Sequence, residues 1–334
     1  MIDLNKNNMT KVAIGVDIGG TNTAIGVVDI DGNVLVKENI LTPSHGDIDK
    51  YIEELSAAIR ELINSVKKLN KNIDILGIGI GAPNANYYTG TIEQAPNLSF
   101  KGVVPMIKLL KLQFPELKAL AITNDANAAA IGEMIYGGAK GMKNFVVYTL
   151  GTGVGSGIVV NGDLVYGHDG FAGECGHTVL VPYGRQCGCG GLGHLEAYCS
   201  APGMKRTAFD LMAKYNDTKS LLAGYSYNEL DSKIIFEAAE QGDKIALEVF
   251  EMTGSWLGQG LADTAHHLSP EAIFLFGGPT AAGDYIFKPT IESMERNLLA
   301  TFKNKIKVLP SQLKRGDAAI VGASALVYKE IEKQ

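Results

Sequence analysis

Two loops rich in glycine and threonine, Asp17-Ile18-Gly19-Gly20-Thr21-Asn22 and Leu150-Gly151-Thr152-Gly153-Val154-Gly155, each close a short apolar run. Glycines at a strand end leave backbone N–H groups uncovered, so an anionic oxygen reaches both them and the threonine hydroxyl. Such loops hold phosphates. Neither has the Gly-Lys-Ser/Thr of a Walker A loop, and neither opens a helix as a dinucleotide fingerprint does. One loop alone is matched equally well by a tight turn. Two of them suggest a phosphate chain clamped at two points, with Gly277-Gly278 as a third close-approach point under a nucleoside.

Asn124-Asp125-Ala126-Asn127-Ala128-Ala129 sets a carboxylate where a strand meets a helix N-terminus. A helix N-cap is the plainer reading of Asn and Asp there, and it does not exclude chemistry. Phosphoryl transfer to an alcohol needs a carboxylate that accepts the hydroxyl proton, and Asp125 is the candidate base. Further on, His177, Cys187, Cys189 and His194 offer two imidazoles and two thiolates, the set a tetrahedral structural Zn²⁺ asks for. The alternative is a glycine-rich turn without a metal. Cys175 and Cys199 read as small buried residues. Glu174 and Glu196 flank the proposed metal site, and a metal would fix both carboxylates relative to each other, as a polyol ligand requires; the competing reading is a pair of solvated charges.

The elements that carry these residues show in the periodicity. Lys11 to Ile18, Thr23 to Ile30 and Asn33 to Ile40 read as an antiparallel meander. Asp47 to Leu69 repeats apolar residues at helical spacing, followed by a strand over Asp74 to Ile80. A helix over Val103 to Phe114, a strand over Ala119 to Thr123 and an Ala-rich helix over Asp125 to Tyr136 follow. From Asn144 the order restarts with Phe145 to Leu150, Ser156 to Val160, the turn Asn161-Gly162-Asp163 and Leu164 to Tyr166. Helices near Ser226 to Gln241 and Lys244 to His267, the strand Ala272 to Phe276 and a last helix near Asp317 to Ile331 complete the chain. Strands mixed with helices across a duplicated unit predict two α/β lobes with a cleft between them.

Composition narrows the class. The chain has 334 residues, 46% of them hydrophobic and 20% charged, which predicts a folded protein of two lobes rather than a disordered one. A net charge of -6 with no basic cluster argues against a nucleic-acid surface. Met1 to Lys11 reads as a loose polar tail, and no apolar run has the length of a membrane span. A cytoplasmic protein without a membrane partner is expected. Four cysteines within one stretch, Cys175 to Cys199, point to a local metal or reactive site rather than a disulfide framework.

Taken together, Asp17-Ile-Gly-Gly-Thr-Asn, Asn124-Asp125-Ala-Asn-Ala-Ala, the run Leu150 to His177, the Cys-Gly-Cys loop and Gly277-Gly278 resemble the ROK sugar kinases. The resemblance covers nearly the whole chain from Lys11. It implies an actin-like ATPase (ribonuclease H-like) fold, with a first lobe over 1–123 to which a helix at about 316–334 returns, and a second over 124–315 carrying the zinc loop. It also implies ATP with Mg²⁺ as donor and transfer to the 6-hydroxyl of a hexose, glucose first, by a glucokinase-like enzyme. By the same resemblance Asp125 is the base, and Asn97, Asn124, Glu174, His177 and Glu196 bind the sugar. Gly19, Gly20, Thr21, Thr152 and Gly153 belong to the phosphate loops, and Asp17 partners Mg²⁺. His177, Cys187 and Cys189 match three of the family's zinc ligands, while the fourth, normally Cys, is His194. Gly81-Ala82-Pro83-Asn84 departs from the family's Gly-Pro-aliphatic-Asp/Asn beside the sugar, which bears on substrate preference. N-acetylmannosamine, N-acetylglucosamine, fructose and allose are the rival acceptors, and polyphosphate an alternative donor. The family's other branch, sugar-responsive repressors, needs a DNA-reading module that about ten residues before the first strand do not supply. Trp256 on the long helix and the apolar second lobe suggest a homodimer.

Overall fold

The computed structural model describes residues 9–44, 46–216, 218–314 and 316–333, so the expectation for the N-terminal tail falls mostly outside the described residues. The chain opens with strands β1 (Thr10–Ile18), β2 (Asn22–Asp29) and β3 (Val34–Leu41), then helix α1 (Ile48–Leu69) and strand β4 (Ile73–Gly81). Short strands β5 (Ala85–Asn86), β6 (Thr91–Glu93) and β7 (Val103–Val104) come next, then α2 (Met106–Gln113), β8 (Ala119–Thr123) and α3 (Asp125–Ile135). A second series has β9 (Phe145–Leu150), β10 (Val154–Val160), β11 (Asp163–Leu164), and helices α4 (Glu196–Cys199), α5 (Ala201–Tyr215), α6 (Ser232–Glu240) and α7 (Lys244–Leu268). It ends with β12 (Ala272–Gly277), α8 (Asp284–Asn297), β13 (Lys307–Pro310) and α9 (Ala318–Glu332).

These elements form two compact units. Described residues of Met1–Gly141, Leu164–Ala172 and Gln312–Gln334 make the first, and those of Met142–Asp163 and Gly173–Ser311 the second. The sequence reading opened the second lobe at residue 124, whereas α3 lies in the first unit, packed on α9. Glycine is the reason. A methyl group built on Gly132 would lie 2.9 Å from Gly322 Cα, and one on Gly322 would lie 2.7 Å from the Ala128 carbonyl oxygen, so the two helices meet backbone to backbone.

In the first unit the sheet order is β3-β2-β1-β4-β8, with β1, β2 and β3 antiparallel and β1, β4 and β8 parallel. Helix α1 starts at Asp47, whose carboxylate accepts the Lys50 N–H at 3.1 Å. Its apolar stripe, Tyr51, Ile52, Leu55, Ile59, Leu62 and Val66, joins Ile14, Val16, Ile18, Ile78 and Ile80 of the sheet in one core. Helix α9 lies on β1 and β4, where Gly15 and Gly79 leave the room: a methyl on either would fall 1.9 Å from a carbonyl oxygen of α9.

The second unit repeats the pairing. Its order is β11-β10-β9-β12-β13, with the β9–β10 pair antiparallel and β12 parallel to both β9 and β13. Asn161 and Gly162, at φ of 55° and 85°, make the two-residue turn into β11 that the Asn-Gly pair predicts. Helices α5 to α8 pack a second core around Met204, Leu211, Ile235, Val249, Phe250 and Ile286. Two expected helices shift. Val103 and Val104 pair with β6 and the helix begins after Pro105; the helix near Ser226 begins at Ser232, where Asp231 caps it by accepting the Ile234 N–H. Helices α5 and α8 and the sheet β5-β6-β7 had no counterpart in the sequence reading.

Candidate active site

Each glycine loop closes a hairpin at the end of the first strand of its sheet. In the first unit the turn between β1 and β2 is tied by Gly19 N–H donating to the Asn22 carbonyl at 3.0 Å. A methyl on Gly20 would stand 2.6 Å from the Asn97 carbonyl oxygen, so the loop passes against the backbone of the Pro96-Asn97 turn. Thr21 and Asn97 are exposed there. Register then decides what sits beside the loop. Asp17 pairs with Gly81, and Gly81 with Thr123, which puts the C-terminal ends of three parallel strands side by side. Asn124 and Asp125 follow Thr123 directly.

Asn124 is the N-cap of α3, its side-chain oxygen accepting the Asn127 N–H at 2.7 Å. The plainer reading therefore holds for Asn124, and the cap uses only that oxygen. Asp125 is the first helical residue, and its carboxylate accepts the Ala126 N–H at 2.9 Å. Its side chain is open to solvent yet crowded by protein on its other sides, the signature of a recess, and this desolvation raises its pKa. Asp17 is half-buried, and desolvation first, then the nearby Asp125 charge, lifts it from the usual 3.8 to about 6. Gly81 separates them: a methyl built there would lie 3.8 Å from both Asp17 Oδ1 and Asp125 Cα.

In the second unit Gly151 N–H donates to the Gly153 carbonyl at 2.9 Å, closing the β9–β10 turn. Thr152 is exposed at its tip. Gly277 pairs with Leu150 at φ 117°, and a methyl there would meet the Leu150 carbonyl oxygen at 2.0 Å, so only glycine closes the sheet at this point. The exposed Gly278 faces open space.

The run from Gly173 to His177 is laid along β10. Ser156 Oγ bonds the Gly173 carbonyl, Cys175 N–H donates to Ser156 Oγ at 3.1 Å, and a methyl on Gly176 would lie 1.9 Å from the Val154 carbonyl oxygen. His177 is thereby fixed by the glycine hairpin. The cysteine loop closes on itself through Cys187 N–H to the Gly191 carbonyl at 2.8 Å and Gly190 N–H to the Cys187 carbonyl at 3.0 Å. Gly191 leaves room for an imidazole, since a methyl there would lie 2.3 Å from His194 Cε1.

The result is a cluster in which one ligand atom each from His177, Cys187, Cys189 and His194 lies within 4.8 Å of every other. Cys189 Sγ is 3.3 Å from His194 Nδ1, and Cys187 Sγ is 3.8 Å from His177 Nδ1. Tetrahedral Zn²⁺ with bonds of 2.0–2.3 Å has ligand atoms roughly 3.3–3.8 Å apart, so the set fits the ion with a small contraction. Without a metal, burial leads in pushing the Cys187 thiol up to about 12, so cation binding at neutral pH must release its proton. The other nitrogen of His177, Nε2, lies 3.8 Å from Glu174 Oε2. Glu196 Oε1 is 3.1 Å from Cys187 Sγ, and its Oε2 accepts the Val154 N–H at 3.0 Å.

The predicted residues thus fall into two groups. Asp17, Gly19, Gly20, Thr21, Asn97, Asn124 and Asp125 collect in the first unit, and Thr152, Gly153, Glu174, His177, the cysteines, His194 and Glu196 in the second, with Gly277 and Gly278 at the sheet end. Sequence reasoning missed the Glu196–Val154 bond, because nothing in the chain links positions so far apart. It also passed over the role of Gly81, for which a glycine at a strand end was the available signal.

The model of the ROK family matches residues 13–330. The chain belongs to the ROK family. A glucokinase of Streptomyces coelicolor is 34% identical over 94% of this chain and 97% of its own length. The crystal structure of a ROK family glucokinase from Streptomyces griseus in complex with glucose and AMPPNP superposes with a TM-score of 0.78 at 33% identity, covering 95% of this chain and 99% of that one. A putative xylose repressor of a Caldicellulosiruptor species is 26% identical over 99% of this chain and 81% of its own length. The fold is the actin-like ATPase fold, and the duplicated sheet order above is its signature in this ROK chain.

Proposed function

We propose that this chain is an ATP-dependent hexose kinase that phosphorylates the 6-hydroxyl of glucose. The observation that carries the reading is Asp125, an accessible carboxylate made more basic by its surroundings, at a strand end beside a Gly-Gly-Thr hairpin. The glucokinases at 31–34% identity support glucose over the rival hexoses, and the repressor similarity, at 26%, is weaker.

Asp125 accepts the proton of the attacking hydroxyl, so that the oxygen gains nucleophilicity as it meets the γ-phosphoryl group. Gly19 closes the first loop through its own bond to Asn22, the backbone N–H groups of Gly20 and Gly153 with the hydroxyls of Thr21 and Thr152 hold the phosphates, and Gly277-Gly278 lies flat under the nucleoside. Asn97, Asn124, Glu174, His177 and Glu196 orient the sugar by its hydroxyls. Asp17, a half-buried carboxylate near 6, fits one contact to Mg²⁺, which when bound neutralises phosphate charge. His177, Cys187, Cys189 and His194 would hold a structural Zn²⁺, which when bound would rigidify the loop, while His177 Nε2 stands beside Glu174 to meet the sugar. The four free cysteines suit a reducing cytoplasm. The working form is a homodimer that acts on small molecules rather than nucleic acid.

A coupled assay of ADP release over glucose, fructose, mannose, allose and the two N-acetylhexosamines tests the proposal. Highest kcat/KM with glucose is expected. No turnover with any of them refutes kinase activity, and a preference above tenfold for another sugar refutes glucose as the acceptor.

A further inference from the structure

The second glycine loop is held from outside itself. Within the turn Gly151 N–H donates to the Gly153 carbonyl, and its two flanks are fastened to α4 and the residues beside it. On one flank Val154 N–H donates to Glu196 Oε2 at 3.0 Å, and a methyl on Gly153 would stand 2.5 Å from that oxygen. On the other, Ala201 N–H donates to the Gly151 carbonyl at 2.9 Å. Glu196 has little freedom to do otherwise. It is the first residue of α4, followed by buried Ala197, Tyr198 and Cys199, and the preceding Leu195 N–H donates to the Thr178 carbonyl at 3.0 Å.

We propose that Glu196 is a positioning residue for the second phosphate loop: by accepting the Val154 N–H and filling the space over Gly153, it aims the remaining N–H groups of that loop at a nucleotide before any sugar is present. A glycine loop has more conformational freedom to lose on binding than any other segment, and a carboxylate already bonded to its backbone removes part of that cost in advance. The inference rests on the kinase reading and gives Glu196 a duty separate from its proposed contact with the sugar. The bond needs an acceptor at the right reach, not a charge. A glutamine keeps the carbonyl acceptor, whereas aspartate keeps the charge and loses the reach.

The test is calorimetric titration of AMPPNP into the full-length protein without hexose, for wild type, Glu196→Gln, Glu196→Asp and Glu196→Ala. Zinc content of each is measured alongside, with hydrogen exchange at the Val154 amide. Glu196→Gln is expected to bind AMPPNP as tightly as wild type or tighter, because it removes a negative charge near phosphate. Glu196→Asp and Glu196→Ala should bind about tenfold weaker, the size of one lost bond to a charged group, with faster Val154 exchange and unchanged zinc. Equal affinity and equal Val154 protection in wild type and Glu196→Ala would overturn the inference, as would a Glu196→Gln protein as weak as Glu196→Ala. If wild type itself fails to bind AMPPNP, the kinase reading falls, and the Val154 exchange rates still decide whether Glu196 fixes the loop.

Discussion

The chemistry proposed for Asp125 depends on where a strand stops. The carboxylate emerges at the first turn of α3, open to solvent on one side and crowded on the rest, and ionises less readily than a surface aspartate. Replacing Asp125 with Ala should therefore lower kcat by about two to four orders of magnitude, the range of a lost general base, while calorimetry shows glucose binding within a few-fold of wild type. A kcat within tenfold would remove Asp125 from the reaction. Asp17 gives a test that needs no substrate. Burial raises it from 3.8 to about 6, so a proton on Asp17 favours the fold; that contribution is complete below pH 4 and is lost as the pH rises through about 6. Asp17→Asn does not undergo this loss. Its stability relative to wild type, from urea unfolding without Mg²⁺ or nucleotide, should be about 2 kcal/mol more favourable at pH 7.5 than at pH 3.5. A difference independent of pH would mean that Asp17 titrates as a surface group. The grouping of these residues was legible because two glycine-rich hairpins, an Asn-Asp at a helix start and a Cys/His cluster each restrict residue type locally. The tie from Glu196 to Val154 was not, since it depends on folding that brings α4 to β10.

At the scale of elements, the strongly periodic ones were legible: the meander β1 to β3, the amphipathic α1, the long α7 and the restart at β9. Helix α5 left a signal that went unused, Ser200 as cap with Pro202 in the first turn. Helix α8 carries Pro289 inside it, which argues against a helix locally; the fold accommodates it where Gly254 of α7 has no side chain, a methyl there lying 2.5 Å from Pro289 Cγ. Strands β5 to β7 span two or three residues each and are too short for any period to show. Close approach of elements is the property a one-dimensional reading loses first. Gly15→Ala makes it measurable, because the new methyl would fall 1.9 Å from the Ile320 carbonyl oxygen and push α9 off the sheet. We expect a loss of about 1–3 kcal/mol by urea unfolding, against less than about 0.5 kcal/mol for Gly224→Ala, which meets open space. The cysteine loop is the other element with a sharp expectation. Elemental analysis should find about one zinc per chain in wild type and near zero in Cys187→Ser, whereas His194→Cys retains the metal. Wild-type protein purified without zinc, and unchanged by added chelator, would return the cluster to a plain turn.

For the molecule as a whole, the two series of elements share one sheet order, yet they differ in how the chain completes them. The second unit lies between residues 142 and 311 apart from one excursion, while the first needs Gln312 onward, with α9 covering β1 and β4 and meeting α3. Glu133 reinforces that return, its carboxylate accepting the Gln312 N–H at 2.8 Å and the Leu313 N–H at 3.3 Å. A fragment of residues 9–141 should accordingly show no cooperative thermal transition by circular dichroism, and full-length Gly322→Leu should unfold at a lower temperature than wild type. A sharp transition in the fragment would mean that α9 is ornamental.

The same return of α9 fixes an order of events during synthesis. A ribosome releases the cysteine loop and the strands around it long before it reaches the final helix, so the Cys/His cluster is complete on a nascent chain whose Asp17 hairpin still has one face bare. A transcript cut short before Gln312 would yield a protein whose second unit has all its residues and whose first unit is left without the helix that covers it.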